Sequence, residues 1–284
     1  MSPLRIKAYA KLNLTLDILG KRPDGYHDLR MVMQSVDLAD EVTIAPSAGK
    51  GRMSTNLSYL PADGRNLAQM AASAFRKATG KGGAVDIAIE KHIPVCAGMG
   101  GGSSDAAAVL RAMNEMTGAG LSLTQLAEIG QLVGSDVPYC VLGGTALAEG
   151  RGELLTPLPP LPPCFAAICK PHFPISTPRL FAEADSKRLV CRPDTDGLLR
   201  ALEAGNLIEV SRRLYNVFED VLDPHRRQEV DAIKAALIDC GALGASMSGS
   251  GPTVFGLFDR EEPARAAVTR LSAQYQDVFF AKTV

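Results

Sequence analysis

A glycine-rich run between residues 94 and 104 is the part of this sequence best suited to chemistry. It holds four glycines and two hydroxyl residues, Gly98, Gly100, Gly101, Gly102, Ser103 and Ser104. An alternating apolar segment precedes the run and an apolar helical pattern follows it, so it connects a predicted strand to a predicted helix. Such a junction, with close backbone approach and unpaired helical amides, binds anions and most often phosphate. We predict a phosphate-binding loop, with Ser103 and Ser104 as N-cap candidates.

Three familiar kinds of phosphate-binding protein do not match this loop. A P-loop requires a lysine before the hydroxyl residue, and here Ser103 follows Gly102 directly. A dinucleotide-binding loop requires a third glycine where this chain has Ser103. The His-Arg-Asp and Asp-Phe-Gly motifs of protein kinases are absent from the sequence. The loop alone therefore leaves the type of phosphate enzyme open.

Three further polar residues are candidates for a site. Lys11 and Asn13 lie on the polar face of an alternating segment, residues 4–19, which predicts a strand. The alternative for both is a solvated strand face. Asp136 stands between glycines before Val-Pro, where an aspartate is usually a turn or cap residue. Taken singly, none of the three establishes a function.

A turn-rich segment, residues 20–27, ends in the pair Tyr26 and His27. An aromatic ring beside an imidazole can stack on and hydrogen-bond a flat ligand such as a nucleotide base. The alternative is a tyrosine packed on the core beside a surface histidine. The spacing does not decide between them.

The remaining patterns predict a mixed chain of strands and helices. Strands are predicted at 29–35 and 41–45, a helix capped by Asn66, and a later helix with Leu123 and Leu132 in its buried stripe. Helices are predicted at 179–185, 197–221 and 226–240, followed by a second glycine-serine cluster at 241–252. The proline-rich segment 157–163 predicts a stiff connector. We therefore predict an α+β fold with domains 1–157 and 158–284.

Composition narrows the class of partner and compartment. The 284 residues carry a formal net charge of −1 and no long basic run, which disfavours nucleic acid or an anionic membrane as partner. Six cysteines without a Cys-x-x-Cys pair indicate buried thiols in a reducing cytoplasm rather than a metal or disulfide framework. We expect a cytoplasmic protein acting on small molecules, as a monomer or weak homodimer.

Three separated segments resemble the signature motifs of the galactokinase, homoserine kinase, mevalonate kinase and phosphomevalonate kinase (GHMP) superfamily. They are Lys11-Leu-Asn13, residues 94–107 and residues 244–252. Further motifs resemble the branch whose substrate is 4-diphosphocytidyl-2-C-methyl-D-erythritol: residues 8–14, 22–27, 134–138 and Tyr215-Asn-Val-Phe-Glu219. The resemblance implies a two-domain α+β kinase with its active site in the interdomain cleft. It also implies ATP-dependent phosphorylation of the substrate's 2-hydroxyl, in the non-mevalonate route to isoprenoid precursors.

The resemblance also implies roles for individual residues. Asp136 would be the general base, Lys11 would hold the hydroxyl and the carboxylate in register, and Asn13 would touch the substrate or the phosphate. The cytidyl end of the substrate would contact Tyr26, His27, Thr177 and Phe181. Another GHMP-type kinase, of the homoserine or mevalonate class, and a catalytically silent nucleotide-binding protein of the same fold remain alternatives.

For the nucleotide, the resemblance implies that ATP phosphates lie against the glycine loop and that magnesium accompanies them, with ligands the sequence does not identify. The loop residues are Pro94, Val95, Cys96, Ala97, Gly98, Met99, Gly100, Gly101, Gly102, Ser103 and Ser104. Asn66 and Lys91 would border the adenosine, and Gly249 and Gly251 would close the site. Met99 stands where relatives often carry leucine, a swap that conserves volume.

Overall fold

The computed structural model of the protein describes residues 3–284. The chain forms two compact units, and both are discontinuous in sequence. Unit 1 takes the chain up to residue 10 together with 39–95 and 100–143, and unit 2 takes 11–38, 96–99 and 144–284. Two long strands, β1 (Leu4–Lys21) and β2 (His27–Pro46), are each divided between the units, with one part in unit 1 and the other in unit 2. The predicted α+β class is confirmed.

Besides its parts of β1 and β2, unit 1 contains two strands and four helices. They are β3 (Met53–Thr55), α1 (Leu67–Thr79), β4 (Val85–Glu90), α2 (Gly101–Thr117), α3 (Leu123–Gln131) and α4 (Val137–Leu142). β4 pairs antiparallel with β2 and parallel with β3. The apolar faces of the helices and strands form one core, which includes Phe75, Ile89 and Leu110. Burial of these faces is the main force that holds β4 and α2, the two elements that flank the glycine loop, against each other.

Unit 2 holds the rest of β1 and β2 and most of the C-terminal half of the chain. Its further strands are β5 (Thr145–Gly150), β6 (Leu154–Pro157), β7 (Phe165–Lys170), β8 (Tyr215–Asn216), β9 (Gly244–Met247), β10 (Val254–Phe258) and β11 (Asp277–Lys282). Its helices are α5 (Thr177–Ser186), α6 (Thr195–Glu203), α7 (Leu207–Ser211), a 3-10 helix (Val217–Val221), α8 (Pro224–Asp239) and α9 (Glu261–Ser272).

Two sets of strand pairs organise unit 2. The strands β11, β7, β10 and β9 form an antiparallel sheet in that order, and α8 and α9 pack against it. In the other set, β5 pairs antiparallel with β2 and with β6, and β8 pairs parallel with β1. In this last pairing Leu16 faces Asn216, so the Tyr215–Glu219 motif lies beside the strand that carries Lys11 and Asn13.

Several element predictions are wrong in detail. The strands expected at 29–35 and 41–45 are one strand, β2, because no glycine or proline interrupts residues 36–40. The helix expected at 197–221 is broken, since Gly205 takes a left-handed φ of 62° and Asn206 then caps a new helix. Leu123 and Leu132 are exposed because α3 is only nine residues long and they lie at its two ends.

The proline-rich segment lies inside unit 2. The Leu161 amide donates to the Thr145 hydroxyl at 3.0 Å, and the Leu161 side chain is buried. Both sides of the predicted 157/158 boundary therefore belong to the same compact unit, and the domain boundary stays a prediction. Across residues 3–284, the structure contains no helix both long and apolar enough to span a membrane.

Candidate functional site

Lys11 and Asn13 are buried on β1. Both faces of this part of the strand are covered, and Lys11 is 4% exposed and Asn13 fully buried. The Lys11 ammonium donates to the Asn13 side-chain oxygen at 2.5 Å. The alternative of a solvated strand face is therefore wrong. A lysine is rarely buried without a reason, because removing its charge from water is costly.

Within unit 2, this pair meets the glycine loop and the second glycine-serine cluster. The Lys11 amide donates to the Met99 carbonyl at 3.0 Å. The Ser248 hydroxyl donates to the Gly98 carbonyl at 3.0 Å and accepts from the Asn13 amide at 3.1 Å. The structure thus brings together parts of all three segments that carry the family resemblance, although they lie far apart in the sequence.

Where the glycine loop contacts Ser248, the backbone at position 98 requires glycine. Its φ is +73°, and a Cβ atom there would lie 2.1 Å from the Ser248 carbonyl oxygen. Gly98→Ala would force the two segments apart by about 1 Å, a displacement that can lower catalysis by about a hundredfold. We therefore expect kcat/KM to fall by at least about tenfold.

Gly205→Ala is the matched control for Gly98→Ala. Gly205 also has a left-handed φ, +62°, but nothing lies within 4 Å of an added Cβ. It carries the backbone strain of about 1–2 kcal/mol without the overlap. Steady-state kinetics and thermal unfolding of both variants separate the two effects. Equal kinetic losses in the two variants would show that the Gly98–Ser248 approach is unimportant.

The glycine loop leads into α2 through left-handed backbone. Gly98 and Gly100 have φ values of +73° and +70°, and Cys96 has a φ of +53°. The helix begins at Gly101 with Gly100 as N-cap, so the prediction of Ser103 or Ser104 as N-cap is wrong. Glycine at the left-handed N-cap permits this earlier start. No side chain caps the N-terminus and no acidic residue lies in the first turn, which leaves backbone amides and the positive end of the helix dipole to an anion.

The two serines of the first turn have different surroundings. Ser104 is 1% exposed, and its hydroxyl donates to the Tyr9 carbonyl at 2.5 Å. Ser103 is partly exposed. The hydroxyl of Ser104 therefore holds α2 against β1 inside unit 1. The phosphate contacts of both serines stay predictions.

Lys91 lies in a buried charged cluster of unit 1, formed by Asp40, Lys91 and Asp105. Its ammonium is bonded to the carboxylate of Asp40 and donates to that of Asp105 at 2.7 Å. The other oxygen of Asp40 accepts from the amides of His92 and Ile93 at 2.6 and 2.8 Å. This Asp40–Lys91–Asp105 cluster joins the segment just before the glycine loop to the first turns of the helix that follows it.

The cluster carries an excess of negative charge when both carboxyl groups are ionised. The pKa of Asp105 is raised to about 7, mainly by burial; Lys91 acts to lower this pKa, and the Asp40 carboxylate acts to raise it. One oxygen of Asp105 is buried without a hydrogen-bond partner. The sequence prediction named only Lys91, because Asp40 and Asp105 are 51 and 14 residues away from it.

Asn66 and Asp136 both lie at helix starts in unit 1. The Asn66 oxygen accepts from the Ala68 amide at 3.0 Å, which confirms the predicted cap of α1, and its amide group donates to the Pro61 carbonyl at 2.9 Å. Asp136 occupies the N-cap position of α4 and is partly exposed. The adenosine contacts of Asn66 and Lys91 and the catalytic role of Asp136 stay predictions.

His27 and Phe181 form the centre of an aromatic group in unit 2. Their rings stack with centroids 4.5 Å apart, and Phe218 meets Phe181 edge-on at 5.0 Å. His27 is buried, which the sequence alternative of a surface histidine did not expect, and its Nε2 lies 2.7 Å from a carboxylate oxygen of Asp185. Hydrogen bonds from Lys21 and from His27 hold the pKa of Asp185 below its usual range.

Tyr26 and Thr177 lie on the surface of the same unit. Tyr26 is 55% exposed, and the Arg151 guanidinium lies over its ring at 4.9 Å. Thr177, the first residue of α5, is within 2.8 Å of the Ser250 hydroxyl, beside Gly249 and Gly251 of the second cluster. The sequence prediction gave no individual role to Arg151, Asp185 or Phe218. Each is far in sequence from the predicted residue that it contacts, which is Tyr26, His27 and Phe181 respectively.

The chain matches known families and known proteins over most of its length. Residues 66–144 match the family "GHMP kinases N terminal domain", and residues 198–277 match "GHMP kinases C terminal". Proteins named 4-diphosphocytidyl-2-C-methyl-D-erythritol kinase are 45% identical in Lachnoclostridium phytofermentans and 46% identical in Exiguobacterium sibiricum. These alignments cover 94% and 96% of this chain, and 92% and 96% of the relatives.

Solved structures show the same likeness. A crystal structure of a 4-(cytidine 5'-diphospho)-2C-methyl-D-erythritol kinase matches with a TM-score of 0.80 and 33% identity, over 99% of both chains. A homoserine kinase from Cytophaga hutchinsonii matches with a TM-score of 0.76 and 20% identity, over 100% of this chain and 95% of the other. At that identity the second likeness concerns the fold alone.

Proposed function

Since this chain belongs to the 4-diphosphocytidyl-2-C-methyl-D-erythritol kinase family, a branch of the GHMP kinases, we propose that it transfers the γ-phosphoryl group of ATP to the 2-hydroxyl of 4-diphosphocytidyl-2-C-methyl-D-erythritol. The observation that carries the proposal is identity of 41–46% to relatives of that name over nearly their whole length. The product would serve the non-mevalonate route to isoprenoid precursors.

The reaction requires a base, charge compensation and positioning. In the proposed mechanism Asp136 accepts the proton of the 2-hydroxyl as its oxygen forms a bond to the γ-phosphorus. The bond between that phosphorus and the bridging oxygen of ATP breaks, and ADP leaves. Lys11 stabilises the negative charge that develops on the transferred group, and Asn13 orients Lys11 through the hydrogen bond between their side chains.

ATP phosphates would bind at the N-terminus of α2, where glycines and uncapped amides favour an anion. Magnesium would supply further charge compensation when bound with the triphosphate. Within residues 3–284, no group of three or more His, Cys, Asp or Glu side chains is arranged to hold a metal ion.

The cytosine of the substrate would bind at the aromatic group of unit 2. His27 and Phe181 present stacked rings, and the exposed ring of Tyr26 offers a second apolar surface. The partly buried contact between His27 and Asp185 fixes the orientation of the imidazole, which a hydrogen bond to a base requires. A substrate without a base would leave these groups unused.

A coupled ATP assay tests the proposed function. We expect turnover with 4-diphosphocytidyl-2-C-methyl-D-erythritol and none with homoserine or mevalonate. Turnover with homoserine or mevalonate alone would support one of the other GHMP kinase classes. No turnover with any of the three, together with measurable ATP binding, would support a catalytically silent nucleotide-binding protein.

Tyr26→Ala tests the cytosine site with little risk to the fold, since the side chain is mostly exposed. Stacking on an aromatic ring contributes about 1–3 kcal/mol per base, so we expect KM for the cytidyl substrate to rise by about fivefold to a hundredfold. The kcat value is expected to stay nearly constant, because ground state and transition state lose the same contact. Tyr59→Ala, which removes another exposed tyrosine ring, is the control. An unchanged KM in Tyr26→Ala would exclude stacking on this ring.

A further inference from the structure

The Tyr215-Asn-Val-Phe-Glu219 motif contributes to the family resemblance but has no role in the site described so far. It forms β8 and the start of the 3-10 helix, and two of its side chains are buried polar groups, Asn216 at 1% and Glu219 at 5% exposure. Buried polar groups are retained at a cost unless their hydrogen bonds are satisfied. The partners of these two side chains therefore indicate what they do.

Both the nitrogen and the oxygen of the Asn216 side-chain amide form hydrogen bonds. The nitrogen donates to the carbonyls of Met247 and Gly249, both at 2.8 Å. The oxygen accepts from the Phe218 amide at 3.0 Å, which caps the 3-10 helix. Because the Asn216 backbone pairs with β1 at Leu16, the side chain ties the second glycine cluster to the strand that carries Lys11.

Glu219 holds the same segment at residues 246 and 247. One carboxylate oxygen accepts from the Ser246 hydroxyl at 3.0 Å and from the Met247 amide at 2.8 Å. The other accepts from the Lys234 ammonium at 2.5 Å. Together, Asn216 and Glu219, here termed the 216–219 clamp, bind the backbone or side chains of residues 246, 247 and 249.

The clamped segment lies against Lys11 and Asn13. Ser248, between the clamped residues, bonds to both the Gly98 carbonyl and the Asn13 amide. Gly249 has a φ of +58°, and a Cβ there would come 2.9 Å from the Gly98 carbonyl oxygen and 3.2 Å from the Lys11 ammonium nitrogen. With so little space, a shift of the 247–249 backbone changes the surroundings of Lys11 directly.

We propose that Asn216 and Glu219 are positioning residues, which hold residues 246–249 so that Lys11 and Asn13 keep their reactive arrangement. They act through this segment and do not touch the substrate. The inference rests on the proposed function, because it takes Lys11 as a residue of the reaction.

Asn216→Asp tests the clamp with a side chain of the same shape. The variant keeps the oxygen that caps the 3-10 helix, but it turns a carboxylate oxygen toward two carbonyl oxygens in place of the amide donor. We expect kcat to fall by about tenfold to a hundredfold, since a displacement near 1 Å has effects of that size, with KM for the cytidyl substrate within about twofold. Lower pH protonates the introduced carboxyl group and restores one donor, so the loss in kcat is expected to shrink toward acidic pH.

Two further variants separate positioning from stability. Glu219→Gln keeps an acceptor for the Met247 amide and is expected to lose less kcat than Asn216→Asp. Val230→Ala removes two methyl groups from the buried face of α8 and supplies a destabilised reference with intact clamp residues. Melting temperatures of all variants are compared with their kcat values.

The outcomes distinguish this inference from the proposed function. An inactive parent protein would contradict the proposed function. With an active parent, the positioning role is supported if Asn216→Asp loses kcat well beyond a Val230→Ala protein of equal melting temperature. It is overturned if kcat follows melting temperature alone, if only KM changes, if the pH profile matches the parent, or if both clamp variants fail to fold.

Discussion

Asp136→Asn is expected to lower kcat by about a hundredfold to ten-thousandfold, which is the usual contribution of a positioned general base. Asparagine has nearly the same shape as aspartate but does not accept the hydroxyl proton. Asp136 stands at the N-cap position of α4, where asparagine is equally well tolerated, so the helix is expected to keep its start. ATP binding, measured by calorimetry, is expected to stay within about twofold of the parent.

Glu128→Gln is the matched control for this substitution. Glu128 is an exposed carboxylate on the neighbouring helix α3, and its loss changes net charge by the same amount. We expect parent-like kcat and parent-like ATP affinity. Asp136→Asn with parent-like kcat would mean that another group takes the proton, whereas loss of ATP binding would mean that the residue supports the nucleotide site instead.

Lys91→Met is expected to destabilise the protein by about 3–5 kcal/mol, because it removes the cation from the Asp40–Lys91–Asp105 cluster and leaves two buried carboxyl groups. Methionine fills much of the same space, so the effect is mainly electrostatic. Urea unfolding at pH 8 and at pH 5.5 measures it. The loss is expected to be smaller at pH 5.5, because protonation neutralises the Asp105 carboxyl group, whose folded-state pKa is raised to about 7.

Asp105→Asn is the companion variant. We expect it to raise the free energy of unfolding at high pH, where Lys91→Met lowers it most. The pKa of Asp105 is raised to about 7 in the folded protein, from about 4 when unfolded. Protonation of Asp105 therefore contributes to the free energy of unfolding at low pH, and this contribution is lost as pH rises toward and through the folded-state pKa of about 7. Asp105→Asn keeps the Asp40–Lys91 pair and removes the surplus charge, so we expect it to gain stability relative to the parent above pH 7. A constant difference across pH would contradict the raised pKa.

Local spacing was enough to identify much of the candidate site. The concentration of glycines before a helical pattern predicted an anion-binding loop, and the left-handed glycines and uncapped start of α2 agree with it. The Asn66 cap of α1 was equally predictable, because it depends on hydrogen bonds within three residues. Lys11 and Asn13 were recognised as a pair because period-two alternation places them on one strand face.

Other features depend on contacts that no local pattern contains. Alternation on β1 indicated one solvated face, but the fold covers both faces and makes Lys11 a buried ammonium. The helix at the glycine loop begins at Gly101 rather than at a serine, because Gly100 takes a left-handed N-cap and Ser104 bonds to the Tyr9 carbonyl. In both cases, packing overrides the preference of the isolated segment.

The sequence by itself determined which side chains are able to do chemistry, since residue types and short-range spacing set the strand, the loop and the helix cap. The tertiary structure alone decided their surroundings. It brought Ser248 to Gly98, Phe181 to His27, and Asp40 and Asp105 to Lys91 across 14 to 154 residues. Hydrogen bonds and ion pairs of this kind depend on distance in space, and burial then sets their strength by excluding water.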